Sequence, residues 1–362
     1  MTSKGFQWAV VGAGPAGIAA VGKLLDAGVA SSRVCWVDPH FDVGLLGRKW
    51  STVSSNTTVE LFDKFLRASD AFQYGSAPVR FPMHDLPPNG TCELRYVVEP
   101  LMWITNRLRE QVTPFTEFVS KFERHDDDSD WCLTTESGNS IPPCRNVVLA
   151  TGSRPKMLNV GFDDIPVIPL DDALQIDKLS NLTTSDDTVG VFGSSHSAIM
   201  IVRDLLEVGV AKVINFYRSD VIYAEPHLSG GFVNDSTGLK GRTAEWARRY
   251  LTSGPENLPA RLERHRSTMD AIAKHVLRCD KLIYAVGFDR APLNIVDGGK
   301  VVVGDYDPTT GRIAPHLFGA GIAFPELGPD VVGKLEMQVG LWKFMRYLTR
   351  IVPDWVANDS LR

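Results

Sequence analysis

The chain is poor in cysteine and has no paired cysteines: Cys35, Cys92, Cys132, Cys144 and Cys279 are the only five in 362 residues. Their odd number, wide spacing and lack of any Cys-x-x-Cys argue against a disulfide scaffold, a zinc ribbon or a dithiol redox centre, and free thiols in a reducing compartment are expected. There is no basic excess either. Lys+Arg 38 against Asp+Glu 43 leaves a net charge of −5, which gives no general attraction to phosphate backbones. With no local basic patch, nucleic acid is not an expected partner. No stretch approaches the ~18 apolar residues that span a bilayer. Met1 to Trp8 lacks a basic segment followed by an apolar run, so a cytoplasmic protein without a membrane partner is expected. Internal repeats are absent, and the only low-complexity tract is Asp126-Asp127-Asp128-Ser129-Asp130. Its like charges suit a solvated hairpin tip better than a metal site, and no metal is expected.

The length is that of about two domains. A strand (Gln7 to Val11), a Gly-rich turn, a helix (Pro15 to Ala27) and a strand (Arg33 to Val37) follow one another in the order of a βαβ element. A second such unit begins near Thr188: the apolar run Val189 to Phe192 enters Gly193-Ser194-Ser195-His196-Ser197-Ala198, then a helical pattern to Val208, then the strand Lys212 to Tyr217. Two more apolar strands, Asn146 to Ala150 and Lys281 to Ala285, each run into a glycine, Gly152 and Gly287. The polar stretch between Asp220 and Arg278, with a helical patch at Arg242 to Leu251, reads as an insertion in the second unit. After Leu317 to Gly321 the spacing of Leu335, Val339, Trp342, Met345 and Leu348 predicts a C-terminal helix from Val332 to Arg350, its apolar stripe in the core.

Gly12-Ala13-Gly14-Pro15-Ala16-Gly17 has Gly-x-Gly-x-x-Gly spacing directly after a strand and opening a helix. Gly12 permits the tight turn, Gly14 lets the backbone approach a pyrophosphate, and Gly17 allows close packing of helix on strand. The phosphates then meet unpaired N–H groups at the positive end of the helix dipole. Asp38 ends the next strand, where a carboxylate can bind both ribose hydroxyls of an adenosine. The second loop keeps only its first glycine, as Gly193-x-Ser195-x-x-Ala198. Arg218, followed by Ser219, stands at the end of its next strand, and a cation there would pair with the 2′-phosphate of NADPH. The two sites read as FAD first and NADPH second, with NADH the weaker alternative.

With these motifs in place, nearly the whole chain resembles the flavoproteins with two dinucleotide-binding domains. The matching segments are Gly12 to Gly17, Ala150-Thr151-Gly152, Gly193 to Ala198 and Leu317 to Gly321. The resemblance implies an α/β fold of two Rossmann-like (FAD/NAD(P)-binding) domains, the second inserted in the first. The implied bounds are 1–154 and 291–362 for the FAD domain and 155–290 for the NAD(P)H domain, with the insertion at about 220–278. Many members carry an Asp after the late glycine to hold the ribityl chain; here Gly321-Ile322-Ala323 leaves that to the backbone or another residue. Without a Cys-x-x-Cys the disulfide reductases fit poorly. The segment Arg48 to Thr57, with Trp50 and Asn56-Thr57, is similar to that of flavin-containing and N-hydroxylating monooxygenases, where the Asn lies beside flavin and nicotinamide. Glu336-Met337-Gln338 matches a Glu-x-Gln motif of the same enzymes, on the expected last helix. Gly231-Phe232-Val233-Asn234-Asp235 is similar to the Phe-Val-Asn-Glu segment of ornithine and lysine N-hydroxylases, which implies a substrate role for Asn234. His196 is placed to cap the second helix or touch a phosphate.

The reading implied is an NADPH-using flavin monooxygenase that transfers oxygen from O2 to a small amine or sulfur nucleophile by way of a C4a-(hydro)peroxyflavin. Two alternatives stay open: an NAD(P)H reductase or oxidase serving a quinone, a protein partner or O2, and a non-catalytic FAD-holding module. Substrate identity and homo-oligomer formation are not legible.

Overall fold

The computed structural model describes residues 5–125, 130–159, 161–228, 230–252, 254–302 and 306–360. The acidic tip at 126–129 and the first four residues lie outside them. The chain forms two compact units: Met1–Ser153 with Arg290–Gly328 and Met337–Arg362, and Arg154–Asp289 with Pro329–Glu336.

The first unit is built on the strand Phe6–Val11, which pairs in parallel with Val34–Val37 on one side and Ser140–Leu149 on the other. Thr113–Phe115 and Leu317–Gly319 extend the parallel ladder outward on either side. Trp8, Ala9 and Val10 are fully buried, as in a sheet covered on both faces, so the strand reads as an apolar run and does not alternate. Helices Pro15–Asp26, Arg95–Gln111 and Leu341–Ser360 share one core with Trp8 and Val10. Within it Trp8 stacks on Phe318 at 5.9 Å and on Trp355 at 6.4 Å. On the other face Val119–Arg124 and Trp131–Thr135 form an antiparallel meander that leads into Ser140–Leu149. That strand therefore starts antiparallel to one neighbour and ends parallel to another.

The second unit holds a four-stranded parallel sheet in the order Leu262–Arg266, Lys212–Tyr217, Thr188–Phe192, Lys281–Tyr284. The helix Met269–Val276 packs Ile272 and Val276 onto Ile214 and Phe216. This corrects the expected insertion. Residues 262–276 are a strand and a helix of the sheet itself, and the added segment ends before Leu262. After Leu262, the four charged or histidine residues Glu263-Arg264-His265-Arg266 hid an edge strand behind polar side chains.

The C-terminal helix is also corrected. It spans Leu341–Ser360, while Glu326–Pro329 and Leu335–Gln338 form a two-stranded hairpin. Leu335 is 63% exposed and Val339 40%, so only Met345 and Leu348 of the predicted stripe are buried, with Trp342 packed beside them. A helical spacing across 332–340 was broken by Gly333 and Gly340, both at positive φ (84° and 140°). The Glu336-Met337-Gln338 motif accordingly lies on a strand.

Candidate nucleotide sites

The first loop closes on itself so tightly that two of its glycines cannot be replaced. A Cβ at Gly12, whose φ is +110°, would lie 2.3 Å from the Ala150 carbonyl oxygen, and one at Gly17 would lie 1.9 Å from the Gly12 oxygen. Above Gly14 the nearest atom to such a Cβ is 4.0 Å away, which leaves the approach open that a pyrophosphate needs. Pro15 and Ala16 start the helix, Pro15 at the first position where its missing N–H costs nothing. Gly321, at φ +85°, comes so close to Ala16 that a Cβ would meet it at 2.6 Å, which puts the late glycine turn against the loop. Thr151 follows Ala150 with its hydroxyl buried and without a hydrogen-bond partner among the described residues, and Gly152 turns at φ +73°.

Asp38 is 9% exposed. Its Oδ2 accepts the Ala13 N–H at 2.7 Å, and its Oδ1 accepts the N–H groups of His40 at 2.8 Å and Phe41 at 2.7 Å. The carboxylate thus fastens the glycine loop to the segment after the strand, and only its remaining lone pairs can serve a ribose. That segment carries Phe41 and Val43 at φ 56° and 65°, which is costly for an aromatic and a β-branched residue. Arg48 pairs with Asp42 at 3.2 Å. Trp50 packs against the core of the first unit. Asn56 is exposed on the short strand Ser54–Thr58 and accepts from the Thr57 hydroxyl at 3.4 Å. Gln338 is buried and donates to the Gly328 carbonyl at 3.1 Å.

The second loop repeats this geometry. The N–H of Gly12 bonds the Val37 carbonyl and that of Gly193 bonds the Phe216 carbonyl, both at 2.8 Å; Ala150 N–H meets Val11 O as Ala285 N–H meets Phe192 O. A Cβ on Gly193, at φ +127°, would lie 2.2 Å from the Ala285 oxygen. Ser195 caps the helix His196–Val208 through its backbone position. This register places Tyr217, and not Arg218, opposite the position of Asp38; Arg218 and Ser219 come one and two residues later and are exposed. His196, the first helical residue, has a buried Nδ1 without a partner among the described residues. Burial, with Arg203 and Lys240 adding, depresses its pKa to about 4, so the ring is neutral at physiological pH.

Asn234 sits at φ 55° in a turn. Its Oδ1 accepts from Lys334 Nζ at 2.7 Å, its Nδ2 donates to the Tyr223 carbonyl at 3.4 Å, and its N–H donates to Asp330 at 3.2 Å. The amide expected to meet substrate is engaged within the chain. Glu336, from the motif expected on a helix, is buried and accepts from Ser236 N–H and the Thr237 hydroxyl, both at 3.0 Å. Two residues that sequence reasoning passed over are Trp36 and Asn215, which donate to the Gly12 and Gly193 carbonyls at 2.9 and 2.8 Å. A donor side chain near the end of each second strand, one residue before Val37 and two before Tyr217, was the signal available.

No family model matches the chain. Among solved structures it is similar to the ornithine N-hydroxylase of Kutzneria sp. 744, with 16% identity, a TM-score of 0.65, and 98% of this chain and 99% of that chain covered. A flavin-containing monooxygenase from Stenotrophomonas maltophilia gives 12%, 0.62, 98% and 98%; the bacillithiol disulfide reductase of Staphylococcus aureus gives 13%, 0.60, 98% and 98%. At such identities these likenesses speak for the fold alone. In sequence, the chain is 30% identical to Monooxygenase AgnR1 of Paecilomyces divaricatus, covering 96% of this chain and 97% of that protein. The chain belongs to the monooxygenase family of that relative, on a fold of two Rossmann-like units.

Proposed function

We propose that this monooxygenase works with FAD in its first unit and NADPH in its second, and transfers oxygen from O2 to a small nucleophilic substrate, an amine or a sulfur compound. The observation that carries this reading is the pair of glycine loops built to one plan. Each has a first glycine that no side chain can replace, after a parallel strand and before a helix, which is the architecture that holds a dinucleotide diphosphate on N–H groups. FAD, when bound, supplies the activation of O2 after taking a hydride from NADPH. The protein's part is placement. Gly12 to Gly17 would hold the flavin diphosphate, Asp38 would keep the loop in shape and offer its spare lone pairs to the ribose, and Thr151, Gly152 and Gly321 would border the cofactor. Arg48, Trp50 and Gln338 are assigned to the same cofactor environment. Gly193, Ser194, Ser195 and His196 would seat the NADPH diphosphate, and Arg218 with Ser219 the 2′-phosphate. Asn56 is assigned the position beside flavin and nicotinamide, while Asn234, its amide engaged by Lys334 and Tyr223, is assigned to holding its own turn and not to substrate.

The test is a measurement of coupling. The purified protein should show a flavin spectrum, and NADPH-dependent O2 uptake should yield oxygenated amine or sulfide in preference to hydrogen peroxide. Stoichiometric peroxide with every nucleophile tried would replace this reading with an oxidase. A protein that stays colourless when offered FAD would end it.

A further inference from the structure

In both units a side chain from the second strand reaches the carbonyl of the loop's first glycine. Trp36 stands opposite Val10, and Asn215 opposite Val191. These are equivalent places, two residues before Gly12 and Gly193. Because the peptide is planar and trans, its C=O and the following N–H point in opposite directions. Anchoring the Gly193 oxygen toward the sheet therefore aims the Ser194 N–H away from it, and among the described residues that N–H has no acceptor.

The two anchors differ in chemistry. An indole can only donate, so Trp36 fits its acceptor in one way. An amide can present either end, and Asn215 is completely buried, with its Nδ2 donating to both Val191 O at 3.0 Å and Gly193 O at 2.8 Å. Arg264 removes the ambiguity. It lies opposite Asn215 on the neighbouring strand, and its Nε donates to Asn215 Oδ1 at 3.0 Å. A guanidinium has no acceptor, so it compels the oxygen to face it and the NH2 group to face the loop. The guanidinium is itself held over the Tyr217 ring at 4.3 Å.

We propose that Asn215, oriented by Arg264, is the positioning residue of the second nucleotide loop and acts on the diphosphate common to NADPH and NADH. The proposal rests on the assignment of that loop to a nicotinamide nucleotide. It separates Arg264 from Arg218, whose assigned partner is the 2′-phosphate.

The test uses flavin-loaded protein, with NADP+ and NAD+ titrated by calorimetry and the KM and kcat of flavin reduction measured alongside. Arg264→Met should weaken both nucleotides alike, by about tenfold for one hydrogen bond set astray, with FAD content unchanged and kcat at saturation within about twofold. Asn215→Leu should do the same. Arg264→Lys, which still donates to Oδ1, should recover most of the affinity. Loss confined to NADP+ would overturn the proposal by making Arg264 a direct 2′-phosphate ligand. Unchanged affinities would overturn it too, as would a loss that Arg264→Lys does not repair, since that marks a residue needed only for folding. If the unaltered protein binds neither nucleotide while a flavin spectrum persists, this proposal and the NADPH assignment fall together; if it binds both and only the variants disagree, this one falls alone.

Discussion

Replacing Asp38 by asparagine isolates what one carboxylate does for the first loop. The side chain accepts three backbone N–H groups, one on Oδ2 and two on Oδ1. Asparagine has a single oxygen. Its least costly orientation keeps that oxygen toward His40 and Phe41 and turns the NH2 group onto the Ala13 N–H, donor against donor, at a place where the acceptor now stands 2.7 Å away. At least one charge-assisted bond is lost, about 1.5–3 kcal/mol. The strain of Phe41 and Val43, both at positive φ, loses part of what balances it. The Ala13 N–H belongs to the loop assigned to the flavin diphosphate, so the loop reaches its binding shape less often and the apparent affinity falls by that fraction. The expected result for Asp38→Asn is a ten- to hundredfold rise in the FAD dissociation constant, read by quenching of flavin fluorescence as the apoprotein is reconstituted, with a lower melting temperature of the apoprotein. An unchanged constant would refute the reasoning, because it would mean that the loop holds its shape without the carboxylate.

Other consequences can be checked separately. Arg218→Ala should raise the KM for NADPH ten- to a hundredfold, for one lost phosphate contact, and leave NADH nearly untouched; equal effects would withdraw the 2′-phosphate assignment. His196 is neutral in the fold, with a pKa near 4 against about 6.5 when unfolded. The unfolded chain binds the extra proton first, so stability drops as the pH falls from about 6.5 to 4, by up to about 3 kcal/mol. His196→Gln should flatten that part of a melting-temperature profile, and an unaltered slope would show that the ring is not the group responsible. Asn234→Ala should lower the melting temperature through the lost Lys334 and Tyr223 contacts and leave the substrate KM within about twofold; a large rise in KM at unchanged stability would return Asn234 to the substrate.

What could be read from the sequence was whatever depends on apolar runs and glycine spacing. The strand at Lys212–Tyr217 and the helix ending at Val208 fall where periodicity placed them, because burial on a parallel sheet demands apolar residues regardless of context. The edge strand Leu262–Arg266 escaped notice because an edge tolerates charge, and its charges serve ion pairs and the Asn215 contact. The hairpin before the last helix was missed for the opposite reason. Leu335 and Val339 happen to fall at helical spacing, yet their exposure shows that the pattern had no core to face.

The likeness between the two loops was legible at the first glycine and no further, and the reason is physical. Self-similarity in sequence requires identical residues, while the geometry requires only equivalent capacities. A donor must reach the first glycine's carbonyl, and either Trp36 or Asn215 with Arg264 can supply it. The third loop position must avoid the first glycine's oxygen. In the first unit only glycine does so, since a Cβ at Gly17 would lie 1.9 Å from that oxygen. In the second unit the corresponding residue is Ala198, whose side chain is fully buried. The turn at Gly193 keeps the same backbone bond to the neighbouring strand as the turn at Gly12 without that third glycine. The position irreplaceable in both loops is the first, Gly12 and Gly193, each blocked by a backbone carbonyl at the end of a neighbouring strand, at Ala150 and Ala285, and a backbone atom cannot be moved aside as a side chain can.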